Sequence, residues 1–330
     1  MRFVVYGAGA IGGLVGALLA EHDQDVLLIA RGPHAAAIEA SGLAVESSEG
    51  RRVLRLPVAV EPDQIGPDDV VLLAMKSQDT GAALASLRRV APPSTPIVCL
   101  QNGVENERAA LRLFQNVYAV CVLCPAAHLE PGVVQAFSAP VAGLLDMGRY
   151  PAGTDAISEQ VAAAFRAATF ESVERSDIMR WKYRKLLMNL NNAAEAILQP
   201  PGRMEISQLV QDEGVACLQA AGIEFVSAEE DLARRADLLQ MHAIGDQPRG
   251  GGSSWQSLQR QAGSIESDYL NGEIVLLGRR LGIPTPANAL LQELAVEMAR
   301  NGTRPGAMSA SVFLQQLDGR QAPPAPAATG

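Results

Sequence analysis

Between Arg180 and Leu198 the chain reads RWKYRKLLMNLNNAAEAIL. It is a helical pattern that places asparagine at 189, 191 and 192. Asparagine costs roughly 0.6 kcal/mol against alanine at a helical position, so three of them need a reason. At about 100° per residue, Lys185, Asn189 and Asn192 fall within a stripe roughly 60° wide, with Lys182 at its border. Leu186, Leu187, Leu190, Ala193, Ala194 and Ile197 form the side expected to be buried, and Arg184, Asn191 and Glu195 the side expected to face solvent. Two readings are open. The stripe is one wide polar face, or it is a grip in which two amides hold a carbonyl or hydroxyl one turn from an amine. A lysine ammonium so placed polarises a carbonyl and gives a proton to the developing alkoxide. That chemistry needs its pKa lowered toward neutrality, which burial would do.

Such a helix needs a partner domain that delivers the electrons. VVYGAGAIGGLVGALLA carries Gly7, Gly9 and Gly12 as G-x-G-x-x-G, directly after a first β-rich run and at the head of an apolar helix. Gly7 permits a tight turn, Gly9 lets the backbone approach a pyrophosphate, and Gly12 lets helix and strand pack closely. Ala10 and Ile11 open the helix, whose free N–H groups and partial positive charge favour phosphate. The second strand, DVLLIARG, ends in Arg31 rather than in the acid that would hold a ribose 2′-hydroxyl. An arginine there suits a 2′-phosphate by charge and by its forked donors, so NADP(H) is the expected cofactor. A solvated loop arginine is the plainer reading. Lys76, closing the third strand, adds a second cation on the adenine side. Asn102, in LQNG after the fourth, faces the nicotinamide end of the crevice or merely forms a turn.

The elements that carry these residues divide the chain. Short, nearly all-apolar runs (MRFVVYG, DVLLIAR, DVVLLAMK, PIVCLQNG, VYAVCVL) alternate with helical patterns, as parallel strands covered on both faces do. GVVQAFS and VAGLLDMG are expected to complete that sheet. Beyond Asp177 nearly everything has helical spacing. The expected fold is therefore α/β: a Rossmann-type dinucleotide-binding domain over residues 1–172, then a mostly α-helical domain over 173–320. A Pro/Ala-rich tail, QAPPAPAATG at 321–330, is expected to be disordered.

With 330 residues and a 48% hydrophobic fraction, the chain has material for two packed domains. Its formal net charge of −9 argues against a nucleic-acid surface or a polybasic membrane anchor. No apolar run reaches the roughly 20 residues of a membrane span, and Met1 leads straight into a strand, so a cytoplasmic protein is expected. Cys121 and Cys124 form a C-x-x-C that could be a redox pair or half a zinc site. Its strand-like flanks and the lack of a second ligand pair favour core cysteines.

Taken together, GAGAIG with Arg31, the strand-ending Lys76, LQNG and the K-L-x-x-N helix resemble the ketopantoate reductase family. SSWQSLQRQAGSIESDYLNGEIVLLGRRLGIPTPAN resembles that family's later block, so the resemblance runs over all but the tail. It implies Lys185 as general acid with Glu266 assisting. It further implies Asn189 and Asn192 on the substrate, Asn102 beside the nicotinamide ribose and substrate, and Ser254 on the substrate carboxylate. From the residues alone, Ser254 caps a helix after a glycine loop, either as a plain N-cap or as an anion holder. Glu266 alone reads as a helix-surface acid.

Two departures fall on the substrate side. The family's second asparagine usually comes four residues after the first, where this chain has Ala193, and a Gln-Asp pair near the serine is replaced by Ser257 and Leu258. The implied activity is NADPH-dependent reduction of a 2-oxo acid, with ketopantoate to pantoate as the named candidate. A paralogue for another 2-oxo acid, an opine-type dehydrogenase and a non-catalytic NADP(H) sensor are the alternatives. A monomer or a homodimer fits the resemblance.

Overall fold

The computed structural model describes residues 1–63, 65–246 and 248–321. Residues 322–330 of the Pro/Ala-rich tail lie outside the described residues. Among the described residues, eleven strands form two sheets. In chain order they are β1 (Arg2–Tyr6), β2 (Asp25–Ile29), β3 (Leu43–Ser47), β4 (Gly50–Leu54), β5 (Val58–Ala59) and β6 (Asp69–Leu73). Then follow β7 (Pro96–Cys99), β8 (Asn116–Leu123), β9 (Ala126–Ala127), β10 (Val133–Ala136) and β11 (Leu144–Arg149). The helices are α1 (Ala10–Glu21), α2 (Gly32–Ser41), α3 (Ser77–Val90), α4 (Asn106–Leu111), α5 (Ala156–Ala167), α6 (Ile178–Asn189) and α7 (Asn191–Ile197). They continue with α8 (Arg203–Ala220), α9 (Ala228–Arg235), α10 (Ser253–Gln259), α11 (Asn271–Leu281), α12 (Pro286–Arg300) and α13 (Ala310–Gln321).

The main sheet has seven strands in the order β11-β8-β7-β6-β1-β2-β5, parallel except for β11. Strand order reverses direction at β1, so the loop after β1 opens the crevice where doubly wound sheets bind nucleotides. Alternate residues serve opposite faces. Phe3, Val5, Leu28, Leu72 and Val98 pack toward α1 and α5, whereas Val4, Tyr6, Ile29, Leu73 and Ile97 pack toward α3 and α4.

GVVQAFS does not complete this sheet. Its core, β10, lies in a second sheet of order β4-β3-β10-β9, together with a β3–β4 hairpin that sequence patterning did not foresee. Along β10, buried and half-buried residues alternate, unlike the fully buried β6 and β7. That period of two marks a strand covered on one face. VAGLLDMG does join the main sheet, as antiparallel β11.

Helix α1 is wedged between the two sheets, and eight of its twelve residues are buried. Glycines on two sides allow it. A Cβ on Gly16 would stand 2.7 Å from Leu28 of the main sheet, and one on Gly13 would stand 2.8 Å from Val134 of the second.

The described chain forms two compact units, Met1–Leu186 with Glu224–Gly250, and Leu187–Ile223 with the residues from Gly251 onward. The single boundary expected at 172/173 is thus replaced by a division inside α6 and a return of 224–250 to the first unit. In the first unit the returning segment is fastened by Asp146, which is buried on β11. Its carboxylate accepts Nε and Nη2 of Arg234 at 2.9 and 2.7 Å and Nε of Arg175 at 2.7 Å. Arg175 in turn lies 3.7 Å over the Trp181 ring. Among its described residues the second unit is built of helices, with a 3₁₀ turn at Glu266–Tyr269 and one isolated bridge between Leu198 and Met308. There Asn288 donates to Val210 O and Glu213, while Glu213 also accepts the first N–H groups of α12.

The cysteines sit in the core. Cys121 donates to Trp181 O and Cys124 to Ala142 O, and burial pushes their thiols up to about 11 and about 12. Among the described residues, no helix is long and apolar enough to cross a membrane.

Candidate active site

The glycine loop has the geometry its spacing predicts. Gly7 takes φ +105°, and a Cβ there would stand 2.7 Å from Met75 N. At Gly12 a Cβ would come within 2.1 Å of Gly7 O and 3.0 Å of Val5 on β1, so only glycine lets α1 start this close to the strand. Above Gly9, by contrast, a Cβ meets nothing within 4 Å. Gly9 is the N-cap of α1 and has no side-chain cap. The first-turn N–H groups, at Ala10 and Ile11, are therefore left for an anion, as a pyrophosphate site requires.

The loop is braced by a residue that sequence reasoning missed. His34, on α2, hydrogen-bonds Ala8 O through Nε2 at 2.6 Å, and its Nδ1 accepts Gly132 N–H at 2.9 Å. The ring is thus the neutral Nε2–H tautomer, and its centroid lies 4.1 Å from that of His128, with the two planes tilted by 48°. Arg31 is the N-cap of α2 at the end of β2. Its Nη2 donates to the Tyr6 hydroxyl at 3.1 Å and to Glu61 at 3.3 Å.

The ends of β6 and β7 are joined by buried polar groups. Lys76 is the N-cap of α3. The next residue, Ser77, accepts Asn106 Nδ2 at 3.0 Å, and the same amide donates to Asn102 O at 3.0 Å. Gln101 donates to Met75 O and to Thr80, at 2.9 and 2.8 Å. Lys182 then reaches from α6, donating from Nζ to Gln101 O at 2.9 Å and pairing with Glu107, with both charged side chains buried. Burial pushes the Glu107 carboxyl up, opposed by the Lys182 ammonium. Helix α6 is in this way tied to the loop that presents Asn102. Lys182, expected at the border of a polar stripe, is a buried anchor. Three residues apart on one helix, the two lysines have different surroundings.

Lys185 is half-buried, and burial holds its ammonium below the ordinary lysine range. Cys121 and Asp231 act in the opposite direction, and Arg235 and Arg249 reinforce the lowering. Asp231 itself is buried and accepts Arg235 Nη2 at 2.6 Å.

The helix expected to run through to Leu198 is interrupted at Leu190, between α6 and α7. The Leu190 carbonyl there accepts Asn271 Nδ2 at 3.0 Å. The expected solvated side is absent as well. Arg184, Asn191 and Glu195 are half-buried, and Glu195 accepts Gly252 N–H at 3.0 Å.

In the second unit Asn189 and Glu266 are both buried, so Glu266 is no surface acid. Asn192 donates to Ser253 at 3.5 Å, which links α7 to the start of α10. Ser254 does not cap that helix. Gly252 does, and Ser254 is buried with an Oγ that has no partner among the described residues. A buried hydroxyl of this kind favours a ligand able to bond it.

A mostly parallel sheet with its glycine loop at the switch point has the form of a Rossmann-type dinucleotide-binding domain, here followed in the chain by a helical unit. Sequence comparison agrees. Residues 3–151 match the profile of the ketopantoate reductase PanE/ApbA family, and residues 177–299 match its C-terminal profile. A 2-dehydropantoate 2-reductase of Halobacterium salinarum is 31% identical over 319 residues, covering 92% of this chain and 100% of that one. A ketopantoate reductase structure from Ralstonia eutropha superposes with TM-score 0.76 at 28% identity, covering 92% and 100% of the two chains. The fold is shared as well by D-mandelate dehydrogenase in complex with NADH and anilino(oxo)acetate, with TM-score 0.78, 21% identity and coverage of 92% and 99%. The chain belongs to the ketopantoate reductase family.

Proposed function

We propose that the protein reduces the C2 carbonyl of a 2-oxo acid with NADPH, and that the substrate is 2-dehydropantoate, giving (R)-pantoate for pantothenate synthesis. The observation that carries this reading is Lys185, a half-buried lysine with a lowered pKa, on a helix anchored by Lys182 beside the Asn102 loop. Family membership and relatives named for this reaction support it.

NADPH, when bound, would supply the hydride. Gly9, Ala10 and Ile11 take the pyrophosphate, Arg31 and Lys76 the adenosine end with its 2′-phosphate, and Asn102 the nicotinamide ribose. As C2 accepts the hydride, the electron pair of the C=O bond moves onto oxygen. Lys185 gives its proton to that oxygen, and solvent restores the ammonium afterwards. A pKa below the ordinary lysine value brings this donor closer to the working pH, where transfer is most effective. Asn189 and Asn192 orient the carbonyl or a neighbouring hydroxyl, Glu266 assists Lys185, and Ser254 takes the substrate carboxylate.

The test is a panel of 2-oxo acids, with and without an amine cosubstrate, followed by loss of NADPH absorbance. The highest kcat/KM is expected for 2-dehydropantoate. A faster branched or aromatic 2-oxo acid would reassign the substrate, and amine-dependent turnover would reassign the reaction.

A further inference from the structure

Strand β2 ends without the acid that reads a ribose 2′-hydroxyl, but the fold returns an acid from another strand. β5 pairs in parallel with β2, Leu28 against Val58 and Ile29 against Ala59. The chain leaving β5 then brings the Glu61 carboxylate to the Arg31 guanidinium, 3.3 Å away. Arg31 and Glu61 remain 54% and 47% exposed, so a ligand can reach both. The Tyr6 hydroxyl accepts from the same Nη2 at 3.1 Å.

We propose that Glu61 is a specificity-determining residue, which holds Arg31 in the free protein and narrows the preference for the phosphorylated cofactor. A 2′-phosphate brings close to two negative charges to Arg31 and must displace or lie beside the carboxylate, which repels it. A ribose 2′-hydroxyl is a donor, and a carboxylate accepts from it where a guanidinium cannot. Glu61 therefore weakens NADPH binding and strengthens NADH binding at one position. Because the pair is half exposed, its charge is partly screened, and it adjusts the selectivity rather than setting it outright. The inference rests on the dinucleotide reading of the glycine loop and is independent of the keto-acid chemistry.

The experiment is a fluorescence titration of NADPH and NADH against the full chain as wild type, Glu61→Gln and Glu61→Ala, at low and high salt. In both variants NADPH should bind roughly three- to ten-fold more tightly and NADH more weakly, with the NADPH gain shrinking at high salt. An unchanged NADPH/NADH ratio overturns the proposal. So does weaker NADPH binding in the variants, which would make Glu61 the residue that orients Arg31. Failure of the wild type to bind either dinucleotide would refute the dinucleotide reading and this proposal together. Intact binding with an unchanged ratio refutes the proposal alone.

Discussion

Lys182 and Gln101, 81 residues apart in sequence, are joined by a buried hydrogen bond of 2.9 Å from the ammonium to the main-chain carbonyl. The same ammonium neutralises Glu107. One cation thereby fixes the spacing between α6 and the residue that precedes Asn102.

Removing only one member of this pair strands a charge in the core. Lys182→Met should cost about 3–5 kcal/mol in urea unfolding, whereas Lys182→Met with Glu107→Leu should recover most of the loss. Equal stability of the single and double variants would show that the pair is not electrostatically coupled.

Lys185→Ala should lower kcat by about 10²–10⁴-fold, the range expected for losing a general acid, with NADPH affinity unchanged. The wild-type profile has a definite sign. The donor must be protonated, so kcat/KM for reduction falls as pH rises through a pKa below the ordinary lysine value. That limb should vanish in Lys185→Ala. A limb that persists would place the titrating acid elsewhere.

Two glycines of one loop should fail differently. Gly12→Ala puts a methyl group 2.1 Å from Gly7 O, so α1 must lift from β1, and stability should drop by roughly 1–3 kcal/mol with loss of cofactor binding. Gly9→Ala meets no atom within 4 Å, so the protein should melt normally yet bind NADPH about ten-fold more weakly as the methyl group crowds the pyrophosphate. Thermal melts beside fluorescence titrations separate the two.

Ser254→Ala should raise KM for the 2-oxo acid about ten- to hundred-fold, the loss expected for a hydrogen bond to a charged group, without changing NADPH affinity. Because the Oγ has no partner among the described residues, the melting temperature should stay level or rise. A fall in melting temperature with unchanged KM would give the hydroxyl a structural role.

The glycine loop and the main sheet were legible in the sequence, and the reasons are local. G-x-G-x-x-G is a backbone constraint, and backbone constraints are written into glycine positions. Most strands of the main sheet announced themselves because burial on both faces leaves few polar positions, whereas the two-residue β5 did not. What stayed hidden depends on distant partners. Nothing in the spacing of Lys182 and Lys185 showed that Lys182 would be a buried anchor, since that is decided by Glu107 and Gln101. His34 likewise looks like any residue of a short helix until the fold brings Ala8 O and Gly132 N–H to its two ring nitrogens. The Leu190 carbonyl at the helix break meets Asn271, and β10 pairs with β3, all partners distant in sequence.

The return of residues 224–250 to the first unit has a practical consequence for anyone dissecting the protein. No single cut yields the dinucleotide-binding half whole. A fragment ending at Leu186 would leave the Asp146 carboxylate, otherwise 3% exposed, without Arg234. An autonomous cofactor module would have to splice the Glu224–Gly250 segment back through a designed linker. Nicking of the intact chain near the division should leave fragments that stay associated under native conditions.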